Sequence, residues 1–434
     1  MSRTAQISNF TGRVLNCGQY KLLQVLGTGA YGVVYRALDL KTASSAGSPV
    51  EVAIKILDKR TFDDAAAQRV RREVVLHHVV AEHPNVVTMH HAFEDAMFVY
   101  IVLDYCPGGD LFARISDDKV FFRNDDLTKS VFLKILDGVQ HCHQKRVFHR
   151  DLKPENILCS KDGSQVYVSD FGLCSAGLIS TTWGCGSSPY MSPECIGKEA
   201  GYLPYSNRTN DIWALGVILI NMITSRSPWQ KAVTSDDCFC NFLLDEDYLL
   251  EMLPISREAN ALFRKIFVYE PSERINISAL RKEIIAMPTF FMSDDELSRA
   301  GDIVRDAAAY CGVRLPPIQG RSPAAPVVHT AAKKAAVISA PAQERTPARP
   351  TPGRAARRDD PSAGSLDITD ASWSSTDDDS EGPITPDSYP VLDVEIDVTE
   401  LHKQLDGLFI TGMIKDEVMP PAPVIRQTAG AFMA

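Results

Sequence analysis

The sequence predicts an α+β fold of two lobes, a small lobe rich in β-strands followed by a large lobe that is mainly helical. Three observations lead to this prediction. Apolar runs separated by turn residues fill residues 20–104, which is typical of strands. Proline and glycine break the pattern at residues 105–109, which predicts a hinge. From residue 110 to residue 292 the apolar spacing is mainly that of helices. Two lobes joined by one hinge form a cleft, where small ligands usually bind.

The small lobe can be divided into individual elements. A polar turn at residues 41–49 separates a hairpin, whose turn is rich in glycine, from a third strand. His83-Pro84-Asn85 ends the following helix, which carries Glu73. The predicted elements, in order, are strands at 20–26 and 33–38, a third strand around 52–55, a helix at 62–80, and strands at 86–93 and 98–104.

Composition changes sharply near the end of the second lobe. A last helix within residues 293–314 is expected to close the domain that begins at residue 20, after a lead-in of residues 1–19. Residues 315–434 are predicted to form a largely disordered tail, because they are rich in proline, alanine, serine and charge. Residues 391–409 are more apolar. They are interpreted either as a segment that docks on the domain or on a partner, or as an exposed stretch with a few hydrophobic residues.

Charge and cysteine usage limit the classes of function. The 434 residues carry a formal net charge of −10, so nucleic acid is not an expected partner. The longest apolar run, residues 212–223, is too short to span a bilayer, so no membrane association is expected. Ten cysteines lack the spacing of a disulfide framework. They indicate reduced thiols in a protein of the cytoplasm, the nucleus or both. Nothing in the sequence indicates an obligate oligomer, so a monomeric domain is expected.

The segment from His149 to Asn156 places a carboxylate, an ammonium and an amide within a few residues. Such a set can orient a hydroxyl nucleophile, neutralise a transferring phosphate and hold a metal ion. It fills every fixed position of the pattern H-R-D-L-x-x-x-N. Other motifs stand around it in a fixed order, namely Gly27-Thr28-Gly29-Ala30-Tyr31-Gly32-Val33-Val34, Val52-Ala53-Ile54-Lys55, Asp170-Phe171-Gly172 and Ser192-Pro193-Glu194.

On these motifs, residues from about 20 to 291 resemble a eukaryotic serine/threonine protein kinase. The segment from Gly184 to Glu194 is similar to that of fungal kinases that regulate meiosis and nutrient response. The resemblance implies a two-lobed protein kinase fold. It also implies ATP and Mg²⁺ as nucleotide and metal, and proteins as substrates.

The resemblance assigns roles to individual residues. It implies that Asp151 accepts the proton of the substrate hydroxyl and that Lys153 neutralises charge on the γ-phosphate. Asn156 and Asp170 would hold Mg²⁺, for which oxygen ligands are suited. The residues implied for the nucleotide site are Gly27, Gly29, Gly32, Val34, Ala53, Lys55, Glu73, Leu103, Asp104, Cys106, Leu158 and Asp170. It further implies a buried ion pair between Glu194 and Arg274, and a carboxylate at Asp211 that anchors the catalytic loop.

Three positions depart from the usual pattern of the family, and the first, Ser192 in place of an alanine, is a mild change. His77 stands where a leucine or methionine usually packs against Phe171, and it is interpreted as a core residue with its hydrogen bonds satisfied. A pH-sensitive switch is the alternative. Trp183 stands where an activating phosphothreonine is usual. Arg150, which normally pairs with that phosphate, could pair with a phosphate on Thr181 or Thr182, or with none. Activity is therefore expected not to require phosphorylation of this segment.

Acidic residues near the catalytic motif suggest a substrate preference. Asp110 and Glu155 match positions that contact an upstream arginine in kinases of basic substrates. Asp110 could instead contact a ribose or cap a helix. Leu173 favours serine over threonine, so the expected target is a serine with an arginine three residues before it.

The main alternative is a pseudokinase that serves as a scaffold without phosphotransfer. It is disfavoured because Lys55, Asp151, Asn156 and Asp170 are all present. A small-molecule phosphotransferase on the same fold is disfavoured by the region around Ser192-Pro193-Glu194, which resembles a protein-substrate loop.

Overall fold

The computed structural model describes residues 9–29, 32–43, 47, 49–313 and 409–411. These residues form a small lobe built on a β-sheet and a large helical lobe, which confirms the predicted fold class. Most of the predicted tail, residues 315–434, lies outside the described residues. So does the candidate docking segment 391–409, except for its last residue.

Eleven β-strands are described. They are β1 (Val14–Leu15), β2 (Tyr20–Thr28), β3 (Gly32–Ala43), β4 (Pro49–Asp58), β5 (Met89–Glu94), β6 (Phe98–Asp104), β7 (Ile157–Cys159), β8 (Val166–Val168), β9 (Ile179–Ser180), β10 (Tyr205–Ser206) and β11 (Phe409–Thr411). The small lobe has one seven-stranded sheet in the order β1-β2-β3-β4-β6-β5-β11. The pairs β7-β8 and β9-β10 are separate two-stranded sheets of the large lobe.

Eleven α-helices are described. They are α1 (Asp64–Val80), α2 (Leu111–Ser116), α3 (Asp125–Gln144), α4 (Pro193–Ile196), α5 (Asn207–Thr224), α6 (Asp237–Leu244), α7 (Tyr248–Met252), α8 (Arg257–Ile266), α9 (Ile277–Ala286), α10 (Asp294–Arg299) and α11 (Asp302–Tyr310). Short 3₁₀ turns lie at Lys59–Thr61, Pro154–Asn156, Ser188–Tyr190 and Pro271–Glu273.

The first described residues join the sheet of the small lobe. Strand β1 pairs antiparallel with β2. The backbone N–H of Phe10 donates to the hydroxyl of Tyr35 at 2.9 Å, and the Phe10 ring is buried. Residues 9–19 therefore form part of the small lobe.

One strand begins later than the sequence suggested. A strand was expected from residue 86, whereas β5 begins at Met89. Val86 instead forms an isolated parallel bridge with Val168 of β8, and Val87 N–H donates to the Val168 carbonyl at 2.9 Å. These residues are apolar because they pack against the large lobe, so the hydrophobic run continues past the strand itself.

Helix α1 begins just after the expected position because Asp63 caps it. The Asp63 side chain accepts the N–H of Ala66, which satisfies one of the free donors of the first turn. The buried residues of α1 include Glu73, Val74 and His77, which face the sheet and the cleft. This helix therefore sets the position of Glu73.

Helix α5 is the central element of the large lobe. Ser206 caps its start, and nearly all of its residues are buried, including the apolar run 212–223. Trp213 on this helix packs against Trp229 and Phe267. A helix that is apolar on all sides is buried within a core. None of the described helices is both long and apolar enough to cross a membrane.

Two helices close the large lobe within residues 293–314. A capping box between Ser293 and Glu296 starts α10. Helix α11 buries Val304, Ala307 and Ala308. The thiol of Cys311, just after α11, donates to the Thr224 carbonyl at the end of α5.

Strand β11 comes from the far end of the sequence. It pairs in parallel with β5, with Phe409 opposite Ala92 and Thr411 opposite Glu94. It is the outermost strand of the sheet on this side. The structure thus joins a C-terminal segment to the small lobe by backbone pairing.

Candidate active site

The ammonium of Lys55 on β4 bridges two carboxylates in the cleft. Its Nζ lies 2.6 Å from Oε1 of Glu73 and 3.0 Å from Oδ1 of Asp170. Although burial opposes the charged form, the two carboxylates raise the pKa of Lys55 above its ordinary value. The Lys55 ammonium in turn lowers the pKa of Asp170. Lys55 and Asp170 are therefore both charged near neutral pH, and the contact with Glu73 fixes the lysine in place.

A carboxylate on α5 holds the backbone of the loop that precedes β7. Asp211 accepts the N–H of His149 at 2.9 Å and the N–H of Arg150 at 2.8 Å. Arg150 has φ of 68°, a left-handed conformation that is uncommon for residues other than glycine. The two bonds from Asp211 stabilise this conformation, so the carboxylate anchors the loop as the sequence suggested.

Three polar side chains surround the carboxylate of Asp151. The hydroxyl of Ser187 donates to Oδ1 at 2.8 Å, and Lys153 Nζ lies 2.6 Å from Oδ2. Lys153 Nζ also donates to the Ser187 hydroxyl at 2.9 Å. Asn156 Nδ2 donates to the backbone carbonyl of Asp151 at 2.8 Å. Asp151 is thus held in one orientation beside a cation.

These contacts join the catalytic loop to the segment between Asp170 and Glu194. The sequence motifs assigned no role to Ser187. The residue lies far along the chain from Asp151, and its hydroxyl links the carboxylate to the ammonium of Lys153. The only sequence signal was its position a few residues before Ser192-Pro193-Glu194.

Phe171 packs in the core between two histidine rings. Its ring centroid lies 4.5 Å from that of His77 and 5.2 Å from that of His149. His77 Nε2 lies 2.7 Å from the carbonyl oxygen of Val87. Burial lowers the pKa of His77 to about 4. This agrees with the interpretation of His77 as a satisfied core residue, because the ring is neutral near neutral pH.

Gly27 near the end of β2, Gly29 in the turn and Gly32 at the start of β3 differ in their surroundings. A Cβ at Gly27 or Gly29 would meet no described atom within 4 Å, so space is open above the backbone. A Cβ at Gly32 would lie 2.2 Å from the carbonyl oxygen of Ile56. Gly32 is therefore required for the close approach of β3 to β4, whereas the described residues leave room for a side chain at Gly27 and Gly29.

Apolar residues expected around an adenine lie on three strands. Val34 is opposite Lys55 in the β3–β4 pair, and Ala53 is opposite Leu103 in the β4–β6 pair. Leu158 lies on β7 and bridges to Asp110. The hinge residues Asp104 and Cys106 follow at the end of β6, where Asp104 Oδ1 lies 2.8 Å from Nε2 of His90.

The hinge passes close to the large lobe. A Cβ at Gly108 would lie 2.0 Å from the Ser160 carbonyl oxygen, and Gly108 N–H donates to the Cys159 carbonyl at 3.0 Å. A side chain at this position would push the lobes apart. The glycine thus keeps the hinge against β7, which carries Leu158.

The expected metal ligands are the amide of Asn156 and the carboxylate of Asp170. In the described residues no cluster of three or more His, Cys, Asp or Glu side chains is arranged to hold a metal. A Mg²⁺ ion that binds together with a nucleotide needs only one or two protein ligands, because phosphates and water supply the rest. Asn156 commits its Nδ2 to the loop, so its amide oxygen is the atom suited to a hard cation.

A buried ion pair supports the region that precedes α5. Arg274 Nη1 lies 2.6 Å from Oε1 of Glu194, and Nη2 lies 3.2 Å from Oε2. Arg274 also donates to the carbonyls of Thr209 and Val268. The pair suggested by the sequence therefore forms, and the structure satisfies both charged groups.

Comparison with known proteins gives consistent results. A family model described as protein kinase domain matches residues 20–285. A protein of Schizosaccharomyces pombe named negative regulator of sexual conjugation and meiosis is 38% identical, over 62% of this chain and 60% of its own length. The serine/threonine-protein kinase ksp1 of the same organism is 34% identical, over 64% of this chain and 59% of its own length.

This chain covers a larger share of a third relative. The serine/threonine-protein kinase VHS1 of Saccharomyces cerevisiae is 31% identical, over 65% of this chain and 74% of its own length. The chain spans about 60% of the length of the two Schizosaccharomyces pombe relatives.

Proposed function

Because the chain belongs to the protein kinase domain family, we propose that it transfers the γ-phosphate of ATP to serine or threonine side chains of proteins. The observation that carries this proposal is the setting of Asp151. Its carboxylate contacts Ser187 and Lys153, and the Lys55–Glu73 pair is formed in the same cleft. The contacts of Asp151, on the substrate side, and the Lys55–Glu73 pair, on the nucleotide side, are therefore formed in the same conformation.

The proposed reaction divides the work among a few side chains. The transferring phosphoryl group is highly charged and loosely bonded, so catalysis is mostly positioning and electrostatics. Asp151 orients the substrate hydroxyl and accepts its proton. Lys153, held at the same carboxylate, places a positive charge where the γ-phosphate moves. Lys55 binds the other phosphates, and its contact with Glu73 keeps the ammonium in place for this role.

Mg²⁺, when bound with ATP, would neutralise phosphate charge at Asn156 and Asp170. The open space above Gly27 and Gly29 lets phosphates approach the backbone. On the adenine side, Val34, Ala53 and Leu158 supply apolar surface, Leu103 closes the back of the pocket, and the backbone of Asp104 to Cys106 supplies polar groups.

The first prediction tests phosphotransfer directly. Asp151→Asn keeps the shape of the side chain but removes the proton acceptor. Loss of a general base typically lowers the rate about 10²- to 10⁴-fold. The measurement is transfer of radiolabelled phosphate from ATP with Mg²⁺ to a degenerate serine peptide library. Equal background in wild type and variant would support the scaffold alternative instead.

Preference for an arginine upstream of the target serine is the second proposal. Asp110 commits Oδ1 to the N–H of Ala113 as the cap of α2, as one alternative anticipated. Glu155 is exposed on the 3₁₀ turn at the end of the catalytic loop. We therefore assign most of the recognition of the guanidinium to Glu155.

A paired comparison measures this preference. We expect Glu155→Gln to reduce the advantage of a peptide with arginine three residues before serine about tenfold, since hydrogen bonds to charged groups contribute roughly 1.5–3 kcal/mol. The ratio of kcat/KM for peptides with arginine and with alanine at that position is the measurement, and Asp110→Asn is the comparison variant. Selection of proline or acidic residues by the wild type would contradict the proposal.

The biological setting is proposed by analogy. One relative is named for control of conjugation and meiosis, and on that basis we propose a role in signalling for growth or development. All ten cysteines lie in the described residues as free thiols. This supports a protein of the cytoplasm or nucleus, and imaging of the tagged full chain tests it.

A further inference from the structure

The residues around Trp183, within the segment between Asp170 and Glu194, are held in place by contacts among neutral groups. Strand β9 pairs with β10, with Ser180 opposite Tyr205. The Tyr205 hydroxyl donates to the carbonyl of Thr182 at 2.9 Å. Gly184 N–H donates to the carbonyl of Cys195 at 2.7 Å. The backbone on both sides of Trp183 is therefore tied to the large lobe.

Trp183 itself is bound on three sides. Its Nε1 donates to the Leu203 carbonyl at 3.1 Å. Its ring meets the ring of Tyr202 edge to face, with centroids 5.6 Å apart. Gly197 lies under the ring with φ of 82°, and a Cβ there would come within 2.6 Å of Trp183 Cδ1. The local backbone is thus shaped to receive the indole.

Arg150, by contrast, makes few contacts with this segment. Its Nη2 lies 3.4 Å from the Ser180 hydroxyl and 3.5 Å from the Thr182 carbonyl, which are long distances for hydrogen bonds. Its Nε is buried and has no hydrogen-bond partner among the described residues. In kinases switched by phosphorylation, new arginine–phosphate pairs order this segment. Here the segment is held in place although the two oxygen atoms nearest to Arg150 Nη2 are neutral.

The anchored segment leads directly to the catalytic carboxylate. Gly186 has φ of 116°, and a Cβ there would lie 2.6 Å from the carbonyl oxygen of Arg150. The next residue, Ser187, contacts both Asp151 and Lys153. Anything that releases Trp183 would therefore loosen the contact between Ser187 and Asp151.

We propose that Trp183 is a positioning residue that takes the place of an activating phosphate. Its indole fixes the segment so that Ser187 reaches Asp151 and a protein substrate can dock without prior phosphorylation. This inference rests on the proposed kinase function. It differs from that function in assigning the active conformation to one side chain of this chain.

The test uses the full chain treated with phosphatase and checked by mass spectrometry for absence of phosphate. We expect the wild type and the Thr181→Ala/Thr182→Ala variant to have equal activity. We expect Trp183→Ala to lower kcat/KM for a serine peptide about 10- to 100-fold, as a small displacement of catalytic groups can do. Affinity for a fluorescent ATP analogue should change less than about twofold, because the described contacts of Trp183 are with Leu203, Tyr202 and Gly197 and not with residues of the nucleotide site.

Trp183→Phe separates positioning from loss of folding. Phenylalanine keeps an aromatic ring against Tyr202 and Gly197 but loses the bond to Leu203, so its activity should lie between wild type and Trp183→Ala. Hydrogen exchange of residues 181–187 should rise in the same order, whereas exchange in α5 should not change.

Three outcomes would overturn the proposal. These are a Trp183→Ala enzyme within about twofold of wild type, a wild type that is inactive until Thr181 or Thr182 is phosphorylated, and unchanged exchange in residues 181–187. If no variant or wild type transfers phosphate, the kinase function fails. The exchange measurement still decides whether Trp183 anchors the segment.

Discussion

At the scale of the residue, His77 differs most in chemistry from the family pattern. Its ring lies against Phe171 and bonds the Val87 carbonyl, and burial lowers its pKa to about 4 from an ordinary value of 6.5. The folded protein holds this ring neutral, whereas the unfolded chain binds a proton more readily. The contribution of His77 to stability is therefore complete above about pH 6.5 and declines as the pH falls toward about 4.

The resulting prediction concerns the pH dependence of unfolding. Between pH 7 and pH 5 we expect His77 to reduce the free energy of unfolding by roughly 1–2 kcal/mol. In His77→Leu this part of the decline in the free energy of unfolding should be absent, whatever the stability of the variant at pH 7. Urea unfolding of both proteins at several pH values gives the two slopes. Parallel curves would contradict the assigned protonation state.

Sequence motifs identified single residues more readily than their contacts. The motifs around Asp151 and Asp170 are diagnostic of the family because several of them occur together in the expected order. They do not reveal that Ser187 lies between Asp151 and Lys153, since this depends on how a segment from elsewhere in the chain returns to the loop. Nor do they reveal that Gly32 serves the packing of β3 on β4.

At the scale of the element, helix α4 depends on one charged pair. Glu194 is buried in α4, and Arg274 at the end of a 3₁₀ turn has no exposed side-chain surface. Removing one partner leaves a buried charge unpaired, which typically destabilises by roughly 3–5 kcal/mol. We expect that loss in Glu194→Gln, measured by urea unfolding.

A surface pair provides the matched control. Arg36 and Glu51 form a salt bridge between β3 and β4, with side chains 31% and 38% exposed. Exposed pairs contribute roughly 0–1 kcal/mol, so Glu51→Gln should hardly change the urea midpoint. Equal losses in the two variants would show that burial does not decide the strength of the Glu194–Arg274 pair.

Elements were predicted best where the apolar spacing of a helix continues over the whole length of the element. The apolar run 212–223 became the buried helix α5, and the spacing over 62–80 became α1. The start of β5 was misjudged because Val86 and Val87 are buried where the chain pairs with the backbone of Val168 in the other lobe, and not within the strand. The spacing and hydrophobicity of residues do not distinguish burial within a regular element from burial against the other lobe.

At the scale of the whole molecule, β11 connects the end of the chain with the small lobe. Its three residues pair with β5, which contacts the helix that carries Glu73. We expect Ile410→Pro, which removes a backbone donor from this pairing, to raise hydrogen exchange in residues 92–94. Ile425→Pro is the matched control, and equal exchange in all three proteins would count against the pairing.

A protein shortened after residue 313 would lose β11 together with the rest of the tail. Strand β5 would then form the rim of the sheet, with open N–H and C=O groups that invite a strand from another molecule. Shortening the chain would thus expose the edge of β5 that pairs with β11, and this edge could then pair with another molecule. Any change in phosphotransfer by the shortened protein would have to be measured at several protein concentrations, since the loss of a contact within one molecule acts independently of concentration and pairing between molecules does not.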